Sequence, residues 1–215
     1  MYDYILFDLD GTITQSAPGI KKCIELSLER MGKPAPDLTD YSKYIGPPLL
    51  NTFGGLCGLS EEEAQEALRI YLSLYDTEGD PRNKLFDGVE EMLIKLKASS
   101  CRVALCTSKN IRSATRVSEF LDVAKYLDAI CGSNGTPELR EKEDIIPYAA
   151  KALGAEPSEK IVMVGDTHFD AKGAIFNGVD FIGVTYGYGK REDMEAVGAK
   201  VFANTPEELL RLLLS

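Results

Sequence analysis

The chain has 215 residues, long enough for one sizeable core or a core with a smaller insert, and a formal net charge of −10. That acidic balance argues against a nucleic-acid or an anionic-membrane partner, since both select basic patches. Hydrophobic residues at 44% and charged residues at 27% are those of an ordinary globular protein, and no apolar run approaches the length of a membrane span.

Tyr4 to Phe7 is a short apolar run that predicts a buried strand, and Asp8-Leu9-Asp10-Gly11-Thr12 follows at once. Ser16-Ala17-Pro18 opens a helix in which Ile20, Ile24, Leu28 and Met31 recur at helical spacing up to Gly32. After a Pro-rich break from Lys33 to Asp37, Tyr41 to Ile45 predicts a short helical turn. Gly46-Pro47-Pro48 then opens another helical piece, Leu49 to Leu56. Ser60-Glu61-Glu62-Glu63 is a capping box, and its helix carries Ala64, Leu68, Tyr71, Leu72 and Tyr75 on one face before fading near Gly79. Residues 15–83 thus read as all-helical, with the tyrosines at core spacing.

From Gly88 onward helices and strands alternate. Gly88 to Ala98 is helical, Arg102 to Thr107 a strand, Ile111 to Leu121 a helix and Leu127 to Cys131 a short strand. Lys142 to Leu153 is a helix ended by Gly154, Lys160 to Gly165 a strand, Phe169 to Asn177 a helix and Asp180 to Val184 a strand. Glu192 to Val197 is a short helix and Lys200 to Phe202 a last strand, and Thr205-Pro206-Glu207-Glu208 starts a capped terminal helix. This alternation predicts an α/β fold with a parallel sheet covered on both faces. Five scattered cysteines (Cys23, Cys57, Cys101, Cys106 and Cys131) form no CxxC and no Cys/His cluster. Such a set fits a reducing compartment, and with strand-like residues at the very start there is no room for a signal peptide, so a cytoplasmic location is expected.

Two acids at i and i+2 where a buried strand ends are hard to justify structurally, because like charges repel and carboxylates are seldom buried unless paired or metal-bound. Asp8 and Asp10 therefore suggest a nucleophilic carboxylate and a divalent cation brought to one point, with Gly11 turning the chain away. Ligands of such sheets bind beyond the carboxyl ends of the strands, so other reactive residues should follow other strands. Thr107-Ser108-Lys109 does so, and offers either a phosphate cradle of hydroxyl and backbone N–H groups or a simple helix cap. Gly165-Asp166-Thr167-His168-Phe169-Asp170 follows a third strand.

Asp8-Leu9-Asp10-Gly11-Thr12 resembles the first motif, DxDGT, of the haloacid dehalogenase superfamily, and the likeness extends over essentially the whole chain. It implies a Rossmann-like core of residues 1–14 and 84–215, interrupted by a smaller all-helical cap over residues 15–83. It implies, further, that Thr107, with Ser108 beside it, holds a phosphoryl group as the second motif does. Asp166 is implied as a Mg²⁺ ligand together with the Asp8 carboxylate and the Asp10 backbone carbonyl, and Asp170 as a further acid of the metal site or a tether for the motif lysine. That lysine maps best onto Lys142, with Arg140 or a solvated charge run as the other readings. In relatives a loop matching Gly46-Pro47-Pro48-Leu49 faces the substrate, so Gly46 and the nearby Lys43 are candidates for substrate binding.

The activity implied is a Mg²⁺-dependent phosphatase acting on a small-molecule phosphate monoester, phosphoglycolate-like or a 5′-nucleotide. Asp8 would be the nucleophile and Asp10 the acid and base, with a sugar phosphomutase of the same fold as the alternative. The acid at Asp10 favours phosphate esters, since dehalogenases and phosphonatases of the superfamily lack one there. Tyr186-Gly187-Tyr188-Gly189 reads as a turn at the rim, Lys109 as a solvated lysine as readily as a site charge, and His168 as a variable position. No oligomeric state beyond a monomer or weak dimer is implied.

Overall fold

The computed structural model describes residues 1–139, 141–156 and 160–215. Its chain order is β1 (Tyr4–Phe7), α1 (Ala17–Arg30), α2 (Leu49–Asn51), α3 (Glu61–Leu74), α4 (Val89–Lys97), β2 (Arg102–Asn110), α5 (Ile111–Phe120) and β3 (Ala129–Ser133). There follow α6 (Lys142–Leu153), β4 (Ile161–Gly165), α7 (His168–Phe176), β5 (Asp180–Val184), α8 (Arg191–Ala196), β6 (Val201–Ala203) and α9 (Pro206–Leu214). Among the described residues the strands form one sheet in the order β3-β2-β1-β4-β5-β6, every neighbouring pair parallel. This is the Rossmann strand order, and its reversal lies between β1 and β4, which opens a crevice beyond their carboxyl ends.

β1 is apolar throughout because both its faces are covered. Its period of two sends Ile5 and Phe7 into a core shared with α4, α5 and α9, and Leu6 into a second core with α6, α7 and α8. The first core continues without a break into the helices that follow β1, through Ile20, Ile24, Phe53, Tyr71 and Tyr75.

Between β1 and β2 the described chain is helical, as its patterning predicts. The Ser60/Glu63 capping box forms, and α3 runs on past Leu74 as a wider π turn over Tyr75–Gly79 and a 3₁₀ turn over Asp80–Arg82. The two crossings between this segment and the sheet lie side by side: Gln15 N–H donates to Lys84 O at 2.7 Å, and Thr14 bridges Leu85. From α5, Arg116 reaches back to pair with Asp80 at 2.9 Å and with Asp76.

One expectation needs correction. β2 does not stop at Thr107 but continues to Asn110, with a register shift against β3 between Thr107 and Asn110 that re-aims the intervening side chains. A second detail steadies the helix that begins with Lys142. Pro147 lies inside α6 and has no N–H for the Glu143 carbonyl, which instead accepts from Asn177 Nδ2 at 3.0 Å. No helix of the described residues is long and apolar enough to cross a membrane.

Because Leu6 is fully buried in the central strand, Leu6→Ala leaves a cavity between the sheet and the α6–α7 layer. The expected cost is about 2–5 kcal/mol of unfolding free energy, read from urea midpoints; a loss under about 1 kcal/mol would mean that this layer can collapse around the gap.

Candidate active site

Asp8 is the first residue beyond β1, and its N–H donates to Val164 O at 2.8 Å, which leaves the carboxylate in the crevice beside β4. Lys142, opening α6, reaches the same point. Its Nζ donates to Asp8 Oδ1 and to Cys106 O, both at 2.7 Å, and pairs with Asp170 Oδ1 at 2.5 Å. The ammonium, with its three N–H bonds, thereby has three partners. Burial works against the charge on Lys142, yet Asp170 and Asp8 hold its pKa above the ordinary lysine range. Burial raises Asp8, Lys142 opposes it, Asp170 and Asp10 add to it, and together they leave the carboxyl pushed up to about 6.

Asp166, just past β4, is fully buried. Its Oδ2 accepts from the backbone N–H groups of Tyr188 at 2.7 Å and Gly189 at 3.2 Å, and its Oδ1 accepts from the Thr12 hydroxyl at 3.4 Å. Burial first, then Asp170 and Asp8, push Asp166 up to about 8, against those two amides. The loop carrying the amides comes this close because Gly187 and Gly189 have no side chain: a Cβ on Gly187 would lie 2.3 Å from Gly11 O and 2.4 Å from Asp166 Cβ. Gly11 is equally constrained, with φ +91° and room for a Cβ only 2.2 Å from Asp166 Oδ2.

Asp170 closes the cluster. It is the N3 residue of a capping box in which Asp170 Oδ2 accepts from Thr167 N–H at 3.1 Å and from the Thr167 hydroxyl at 2.7 Å. Oδ1 meets Lys142 as an ion pair but has no hydrogen-bond partner among the described residues, which leaves it available to a cation. Carboxylate oxygens of Asp8, Asp166 and Asp170 lie within 4.8 Å of one another. An all-oxygen, all-carboxylate set suits a hard divalent cation. The charge fits as well: once all four are ionised, Asp8, Asp10, Asp166 and Asp170 face Lys109 and Lys142 alone among the described residues, an excess of two negative charges that a divalent cation would offset.

Asp10 sits on the other side of the pocket. Both its oxygens accept from Lys109 Nζ, at 3.2 and 3.0 Å, and the same amine donates to Tyr75 Oη at 2.8 Å while lying 4.2 Å from the centre of that ring. Lys109 is therefore not a solvated lysine; burial opposes its charge, but Asp10 and Tyr75 keep it above the ordinary lysine range. Asn83 Nδ2 supports Tyr75 Oη from behind at 3.4 Å.

These groups open into one cavity of about 210 Å³ that contains Asp8, Asp10, Thr107, Ser108, Lys142 and Asp170 on the sheet side and Gly46 and its neighbours on the helical side. The buried Thr107 hydroxyl accepts from Lys109 N–H at 3.3 Å, which orders the turn after it. Gly46, at φ +104°, packs its backbone against Thr167. Lys43 is not brought in: it is an exposed side chain outside the cavity lining, 3.9 Å from Asp40. His168 is likewise outside the lining and packs against Phe169. Arg140, the other reading for the motif lysine, lies outside the described residues.

The family model of haloacid dehalogenase-like hydrolases matches residues 5–184. The chain belongs to that family. Among proteins similar to this hydrolase are a 5′-nucleotidase of Pseudomonas aeruginosa, 35% identical over 91% of this chain and 88% of that one, and the tyrosine-protein kinase PtkA of Mycobacterium tuberculosis, 33% identical over 97% and 72%. The crystal structure of a predicted phosphatase from Clostridium acetobutylicum superposes with a TM-score of 0.92 at 37% identity, covering 100% of this chain and 99% of the other. The expectation of a phosphoric monoester hydrolase accords with the phosphatase and nucleotidase among them.

In this haloacid dehalogenase-like hydrolase, sequence reasoning left Lys109 open between a site charge and a solvated lysine, read Tyr186–Gly189 as a turn at the rim, and took Tyr75 for packing. Lys109 had a signal, its place two residues beyond a strand-end Thr. The loop had one in its paired glycines after β5, read only as a turn. Tyr75 had none, since a tyrosine at core spacing looks the same whether its hydroxyl is used or not.

The metal-free site carries a pH signature. Folded, Asp166 titrates at about 8; unfolded, it returns to the ordinary value of about 3.9. Between those values the native state holds the additional proton, so stability falls as pH rises. A divalent cation, which binds the ionised carboxylates, should accordingly raise the melting temperature more at about pH 8 than at about pH 5, measured against the chelated protein. An equal shift at both would contradict the site's protonation.

Proposed function

We propose that the chain is a Mg²⁺-dependent phosphatase that hydrolyses a small-molecule phosphate monoester, phosphoglycolate-like or a 5′-nucleotide, through an aspartyl-phosphate on Asp8. The observation that carries this is the buried Asp8–Lys142–Asp170 cluster beside Asp166 at the crevice of the sheet, facing Thr107 across one cavity. Asp8 and Asp166, with the Asp10 backbone carbonyl, would hold the cation, and Asp170 would orient Lys142. A bound Mg²⁺ supplies positive charge between the nucleophile and the phosphoryl oxygens.

The Asp8 carboxylate attacks phosphorus and the ester oxygen leaves as an alkoxide, which takes a proton from Asp10. Asp10 then removes a proton from a water, the resulting hydroxide cleaves the acyl-phosphate, and inorganic phosphate leaves with Asp8 regenerated. Thr107 and the N–H groups after it bind phosphoryl oxygens, with Ser108 alongside, and Lys142 offsets their charge. Lys109 holds Asp10 in place between turnovers. Residues 15–83 act as a cap over the core formed by 1–14 and 84–215. The paired crossings at Gln15–Lys84 and Thr14–Leu85 support this division, since few contacts need to change there for the cap to tilt. Five free cysteines, four of them buried, support the cytoplasmic reading.

Asp8→Asn should abolish phosphate release, and a chelator should silence the wild-type protein until Mg²⁺ is restored. Asp10→Asn should slow turnover by about 10²–10⁴-fold and accumulate phosphoenzyme, seen as acid-stable label or by mass. Full turnover in Asp8→Asn would refute the nucleophile, and unchanged kinetics in Asp10→Asn would remove its role.

A further inference from the structure

Granted the phosphatase chemistry proposed above, we infer that the leaving group is an uncharged alcohol with a flat apolar body and neutral polar edges, of which a nucleoside is the chemical type, and not a carboxylated alcohol such as glycolate. The helical side of the cavity, opposite the phosphoryl-binding end, is walled by Pro47, Leu49, Leu50, Leu68 and Leu72. Leu72 lines this wall and keeps 37% of its surface exposed. An anionic leaving group placed there would lose its hydration against hydrocarbon.

Nothing described in the cavity could compensate that loss. Among the described residues its lining contains two cationic side chains, Lys109 and Lys142. Each ammonium has three N–H bonds, and each has three partners inside the protein: both Asp10 oxygens and Tyr75 Oη for Lys109; Asp8, Asp170 and Cys106 O for Lys142. Recruiting either to a substrate carboxylate would strip a buried acid of its partner. Lys43, the one cation that the sequence offers to this loop, stays outside.

Neutral donors and acceptors are present instead. Asn51 sits on the helical wall, and Asn110 and Ser133 sit at the ends of adjacent strands. Apolar walls with a few neutral polar groups are what an uncharged heterocycle or aryl group matches, and what a small carboxylate does not.

The test is phosphate release by the full chain with Mg²⁺ from a nucleoside 5′-monophosphate, phenyl phosphate and phosphoglycolate. The first two should exceed phosphoglycolate in kcat/KM by about 10²-fold, the scale set by an uncompensated buried charge. Leu72→Arg, at a position exposed enough to accept the change, should narrow that ratio about tenfold by giving the carboxylate a partner. If wild-type phosphoglycolate turnover equals or exceeds the others, the leaving-group inference is overturned while the phosphatase reading stands. Release from none of the three overturns both.

Discussion

Lys142 reaches from the first turn of α6 to the end of β1, and the three contacts that it makes there tie together elements that the sequence keeps far apart. Asp8 follows β1 directly, Cys106 belongs to β2, and Asp170 to the helix after β4. A buried ammonium without partners would be neutral or absent, and buried carboxylates without it would be protonated. Each therefore keeps the other charged, in a place where neither could be charged alone. The strand order makes this possible: β1 lies between β2 and β4, so the residues leaving all three strands surround one crevice.

Around that contact the acids are arranged with distinct degrees of freedom. Asp170 has one oxygen bonded to Thr167 and the other paired with Lys142, Asp166 is oriented by two loop amides, and Asp8 shows Lys142 one oxygen. Such a graded set suits one acid that positions, one that binds and one that reacts. Asp10 is separated from them by being paired with a different amine. Two carboxylates two residues apart are thus placed in different electrostatic settings, as acid/base and nucleophilic work requires.

Most of the fold and the acids of the site were legible in the sequence because they rest on local or periodic signals. The apolar runs, the capping box at Ser60, the N-cap at Thr205 and the strand-end acids each have a signature within a few residues. The role of Lys109 stayed open because its burial depends on an irregularity in β2 and on Asp10, 99 residues away. The amides of Tyr188 and Gly189 were not legible because backbone donors have no residue type; only the glycines that let them approach leave a trace. Lys43 misled for the opposite reason: its position in sequence suggested the pocket, but the 3₁₀ turn of Tyr41–Lys43 exposes it beside Asp40.

Tyr188 joins the helical segment to the acidic cluster by three separate contacts. Its amide grips Asp166, while its hydroxyl oxygen accepts from the first N–H of α1 and its ring meets Tyr41 edge-on at 5.5 Å. If residues 15–83 move as the proposed cap, docking of the helices and occupancy of the carboxylate cluster become reciprocal. Whatever ligand Asp166 grips more firmly when the helices are seated must, by thermodynamic linkage, seat the helices more firmly in its turn. The resting tilt of the helical unit and the grip of the acidic cluster are then two readings of a single equilibrium.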